Sequence, residues 1–238
     1  MRHSSLLRFG GTAANAAVVL YVLVGLTHFM LPRAQLRGAG GVSAAFFRSL
    51  SESAVIFSLH YWIVACVSLM AIAVYVAFLS LLRQHITGLL CWAAIVGFVG
   101  AALSTIDFVY VGVEAPRLAK VFSSASVEVQ SLLLVGGMPH LDPCFFAFGL
   151  MGVFALTANS AALRHRLLPP TLGYIGIAGG LTHMLVCMGA LLRSSWLIDL
   201  SVALGGLVIG PVWCFWMGFI LRKAGQFEQS AANTEPAT

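Results

Sequence analysis

Charge is what this chain lacks most. Asp, Glu, Lys and Arg make up 9% of its 238 residues, against about 25% in ordinary soluble domains. A surface so poor in charge cannot be kept in water, which excludes a free globular domain. Apolar residues make up 60% of the sequence, and the mean hydropathy is +0.95, so lipid is the expected solvent. Basic clusters of more than two or three residues are missing, which excludes nucleic acid as a partner. The net charge of +5 is instead read as basic loop ends at a membrane.

Cysteine pairs are lacking too. Cys66, Cys91, Cys144, Cys187 and Cys214 are scattered singly, which excludes a disulfide framework and a zinc site of ordinary spacing. G-x-S-x-G, a P-loop, a dinucleotide fingerprint, H-E-x-x-H and C-x-x-C-H are all absent. No Lys or Arg falls mid-span, which argues against a voltage sensor or a retinal Schiff base. The sequence names no reaction.

Long apolar runs are abundant. A helix of roughly 20 apolar residues crosses about 30 Å of hydrocarbon, and the runs predict six spans near 12–31, 57–82, 86–112, 142–162, 171–192 and 197–221. They are continuous rather than alternating, which favours helices over a barrel. The fold class is therefore an all-α polytopic membrane helix bundle with about six transmembrane helices. Residues 1–224 form that domain, and 225–238 read as a polar, disordered tail. The basic N-terminus resembles a signal peptide. Its run ends at His28–Arg33 without a small-x-small cleavage site, so it reads as a retained first helix. The two longer connections, 32–56 and 113–141, each have the composition of a short interfacial helix.

With the N-terminus inside, Arg2, Arg8, Arg83, Arg164, Arg166, Arg222 and Lys223 fall on the cytoplasmic side. Arg33, Arg37, Arg48, Arg117, Lys120 and Arg193 fall outside. The short inner loops are the densely basic ones, which predicts both termini in the cytoplasm. Gly176/Gly180 and Gly206/Gly210 have the G-x-x-x-G spacing that lets helices approach closely, and Gly210-Pro211 predicts a kink in span six.

Polar groups are expensive in hydrocarbon and so mark candidate sites. His28, His60, Asp107, His140, Asp142 and Asp199 fall near the outer ends of their spans, with Asp142 placed to cap a helix beginning at Pro143. His183 is deepest, about 20 Å beyond Pro170 at 1.5 Å per residue. If the spans bundle, these groups converge on an outward-facing pocket for a small apolar or lipid-like molecule. His183 and Asp107 would do acid–base work there, and His28, His60 and His140 would bind the ligand. A second reading is a haem or copper redox subunit. His183 and Cys187 share a helix face at i, i+4, and Met184 adds a soft ligand. A third is a non-catalytic membrane partner or regulator, and an oligomer is compatible with all three. No cofactor follows from the residues. The tetrapeptide Gly-Leu-Thr-His occurs twice, at 25–28 and 180–183.

The run Phe145–Leu150, followed by Arg166-Leu167-Leu168-Pro169-Pro170-Thr171-Leu172-Gly173-Tyr174-Ile175-Gly176, resembles part of a bacterial family of six-helix integral membrane proteins of unknown function. That resemblance implies the same architecture in a bacterial inner membrane, and it transfers no catalytic residue.

Overall fold

The computed structural model describes residues 3–36, 42–135 and 145–234. His140, Asp142 and Cys144 lie outside the described residues. No strand occurs among those described. Six helical stretches are long and apolar enough to cross a membrane. They are α1 (His3–Met30), α3 (Val55–Leu81), α4 (Gly88–Ser124), α6 (Phe145–Arg164), α7 (Pro170–Leu191) and a composite sixth span. The sixth joins α8 (Ser195–Val202), a π-helical segment (Ala203–Ile209) and α9 (Gly210–Thr234). Two short helices, α2 (Ala44–Glu52) and α5 (Val127–Val135), sit in the long connections. The chain is thus a multi-pass helical membrane protein.

The spans pack as a ring in the order α1, α3, α4, α6, α7 and the sixth span, which closes on α1. The start of α1 and the end of α9 lie together at one end, here the terminal side. The other end, the cap side, carries α2. Gly176 and Gly180 let α7 approach α6: a Cβ on Gly180 would sit 2.9 Å from the Leu156 nitrogen. Gly206 faces open space, so the second G-x-x-x-G pair does not form a helix contact.

Span three runs past its expected end at residue 112, because Pro116 is absorbed inside α4. Proline cannot donate to the carbonyl four residues back. That carbonyl belongs to Gly112, and the Ser58 hydroxyl of α3 donates to it at 2.9 Å. The helix therefore continues for 37 residues, about 55 Å, while the bilayer core is about 30 Å thick. α2 packs its apolar face on this extension, with Ser43 capping its N-terminus and Phe46, Phe47 and Leu50 buried. Phe47 stacks on Phe122 at 4.8 Å.

Just before Gly210-Pro211, where a kink is expected, the helix takes a π-helical form over Ala203–Ile209. The Gly210 amide bonds the Gly205 carbonyl, five residues back. A Cβ on Gly210 would lie 2.8 Å from that carbonyl, so only glycine fits there. Beyond it, α9 remains helical to Thr234, through the stretch whose composition reads as a tail. The end of α9 packs on α1, where Glu228 pairs with His3 and with Arg83 at 3.5 Å and Gln229 accepts from Arg8 at 2.9 Å.

Candidate functional site

The bundle encloses a cavity of about 70 Å³ at mid-depth, lined by every span except α4. Its walls are mostly apolar. Its polar groups are Tyr21 from α1, Tyr75 from α3, Asn159 from α6, His183 from α7, and Trp213 and Cys214 from α9. Among the described residues, no Asp, Glu, Lys or Arg lines it.

Two of these groups satisfy each other. Trp213 Nε1 donates to Asn159 Oδ1 at 3.2 Å, and Asn159 Nδ2 donates to the Ala155 carbonyl at 2.8 Å. The others keep unused capacity. His183 Nδ1 lies 2.8 Å from the Gly179 carbonyl, which can only accept, so the proton of the neutral ring belongs on Nδ1. Nε2 is then a lone-pair acceptor, with no hydrogen-bond partner among the described residues. The Tyr75 side chain is 8% exposed, and its hydroxyl neither makes a hydrogen bond among the described residues nor is sealed off from the cavity. Both groups are therefore free to bond a ligand or water in the cavity.

The expected cluster of outer groups divides. His28 and His60 do come together at the cap-side ends of α1 and α3, with ring centres 5.8 Å apart and the Thr27 hydroxyl 2.9 Å from His60 Nδ1. They do not line the cavity. His183 does, and its ring meets Phe148 of α6 at 5.7 Å. Between them runs an arc of ring contacts through Tyr61, Phe108 and Phe148, each step 5.6–6.1 Å. Asp107 is half-buried on α4 beside Phe108, at the level of this arc and outside the cavity lining. Asp199 is exposed on α8.

Among the described residues, no three or more His, Cys, Asp or Glu side chains are grouped so as to hold a metal ion. Cys187 packs on Gly149 of α6, and Met184 is 37% exposed.

The two Gly-Leu-Thr-His copies take different roles. In the first, Gly25 faces Leu207 of the sixth span and Thr27 faces His60. In the second, Gly180 faces α6 and Thr182 faces Gly205. The same four residues are rotated differently against their neighbours.

Tyr21, Tyr75, Trp213 and Cys214 also line the cavity, and nothing in their sequence pattern marks them as site candidates as plainly as the histidines. A signal existed for the tyrosines. Tyrosine in membrane helices concentrates at the interfaces, whereas Tyr21 lies well inside its apolar run and Tyr75 six residues before the end of α3.

Fold and site together define a class: a six-span helical membrane protein with a mostly apolar cavity, carrying a few uncharged polar groups, between its spans. No protein-family model matches this chain, and no curated protein or solved structure matches it.

Proposed function

We propose that this chain is a multi-pass protein of a bacterial inner membrane, with both termini cytoplasmic, that binds a small neutral molecule in its central cavity. The observation that carries this reading is the pairing of unused hydrogen-bonding groups, Tyr75 hydroxyl and His183 Nε2, with otherwise apolar walls. Small-molecule sites have this composition, with greasy walls and a few placed polar atoms. A charged ligand finds no counter-charge in the lining, and burying a bare charge is far costlier than burying a hydroxyl. His183 accepts from the ligand and Tyr75 donates to it. His28, His60 and Asp107 belong to the cap-side rim above.

The reading is tested by thermal unfolding of the full chain in nanodiscs against a panel of neutral alcohols, ketones, quinones and monoacylglycerols. At least one compound is expected to raise the melting temperature of the wild type, and its effect is expected to shrink in Tyr75→Phe and His183→Leu. A panel without effect on the wild type, or shifts of equal size in both variants, would sink the proposal. Tyr75→Phe should leave the unliganded protein within about 0.5 kcal/mol of wild type, since its hydroxyl bonds nothing among the described residues.

A further inference from the structure

The size of the cavity and the way α7 meets the sixth span narrow the ligand class. An engineered protein cavity of about 150 Å³ holds a benzene molecule, and a water takes about 30 Å³. The space here, about 70 Å³, is under half the former, which favours a small head over a quinone ring or a glycerophosphate. A head of two or three heavy atoms fits.

A ligand that is nevertheless membrane-soluble needs room for its chain. α7 packs along α6 and, in the sixth span, chiefly against α8 and the π segment; its contact with α9 is slight. α9 lies instead on α1. The seam between α7 and α9 is therefore the loose one, and cavity residues line both its edges: Ile175 and Gly179 on α7, Ile209 and Trp213 on the sixth span. All four are partly exposed rather than sealed. Along the seam, a Cβ on Gly179 would stand 3.2 Å from the Ile209 methyl.

We infer that the cavity takes the hydroxyl head of a single-chain neutral amphiphile, a long-chain or prenyl alcohol, whose chain leaves sideways between α7 and α9 into the bilayer. The inference rests on the binding function proposed above. The alcohol donates to His183 Nε2 and accepts from the Tyr75 hydroxyl, two of the unused groups that the lining offers. A fatty acid of the same length has the same chain but brings a carboxylate to a lining without a cation.

The test is photolabelling of the full chain in nanodiscs with hexadecan-1-ol carrying a diazirine near its hydroxyl. The matching diazirine palmitate is run in parallel. The alcohol is expected to label peptides of α7 and α9 at cavity residues, and unlabelled hexadecanol to compete at a concentration about tenfold or more below palmitate. Gly179→Phe, which plugs the seam, should abolish the labelling. Ile175→Trp narrows the same opening without the glycine contact and should weaken labelling even if Gly179→Phe folds poorly. Equal labelling by acid and alcohol overturns the inference. So does labelling confined to lipid-facing residues such as Leu181 and Phe215, or unchanged labelling in a folded Ile175→Trp protein. If the alcohol fails while another panel compound still stabilises the wild type in a Tyr75-dependent way, only the ligand class falls. If no compound acts, the binding function falls with it.

Discussion

At the scale of single residues, what separates one glycine from another is what faces it. A Cβ on Gly176 would overlap the Asn159 amide, the group that accepts from Trp213 across the cavity wall. A Cβ on Gly206 would meet nothing within 4 Å. Overpacking a fitted site costs about 1–3 kcal/mol, while alanine in place of a helical glycine gains up to about 1 kcal/mol. Gly176→Ala is therefore expected to lower unfolding stability in bicelles by about 1–3 kcal/mol. Gly206→Ala should be neutral or slightly stabilising, and the reverse order would contradict the packing described. Both glycines sit in equivalent G-x-x-x-G spacings, so the sequence cannot rank them. Spacing shows that two small residues share a face, not which neighbour that face meets. The same limit explains the tyrosines and histidines of the site. His183 was legible because imidazole is expensive in lipid wherever it points. Tyr75 was not, because a phenol is equally at home packed in a core or lining a cavity.

At the scale of elements, apolar run length located the six spans to within a few residues at most ends. It failed at α4 because Pro116 reads as a helix break, whereas the Ser58 hydroxyl supplies the bond that proline leaves unmade. It gave no sign of the π segment, which lies within one unbroken apolar stretch. Loops carry their own chemistry. The turn after α3 and the turn after α6 are joined by His85 and His165, whose rings stack with centres 3.9 Å apart at 12°. Partial loss of water from the stacked ring, then the neighbouring His85 and Arg164, hold the His165 pKa below its ordinary value of 6.5. A histidine whose folded pKa is depressed binds fewer protons folded than unfolded. The clasp is thus strongest above pH 6.5 and weakens as pH falls through that value toward the lowered one. Hydrogen exchange, corrected for intrinsic rates, should show residues 83–87 and 164–168 losing protection between pH 7.5 and 5.5. His165→Phe, which keeps a ring and removes this titration, should shrink the difference. Equal protection at both pH values in the wild type would remove the clasp as a pH-sensitive contact.

At the scale of the whole molecule, the ring of spans has two unlike ends, and the difference bears on which side faces the cytoplasm. The terminal side is compact: short turns, the stacked histidines, and Glu228 tying α9 to His3 and Arg83. The cap side is tall, because α4 stands well clear of a 30 Å core and carries α2 against it. Arg83, Arg164 and Arg166 sit in the short turns of the terminal side, where basic residues weigh most in setting orientation. The cap side also has cations, and Arg117 there is neutralised by Glu114 at 2.7 Å. These features favour a cytoplasmic terminal side and an external cap, and the geometry makes the assignment easy to check. Val121 is 51% exposed and lies 33 residues beyond Gly88, so about 50 Å along α4 and outside the hydrocarbon. Ile86, 50% exposed, lies in the opposite turn. In a background without native cysteines, Val121→Cys should react with a membrane-impermeant maleimide on intact cells, and Ile86→Cys only after permeabilisation. The opposite pattern would invert the molecule and place the basic turns outside. The cavity would keep its lining in either orientation, because that lining is set by how α1, α3, α6, α7 and the sixth span pack together.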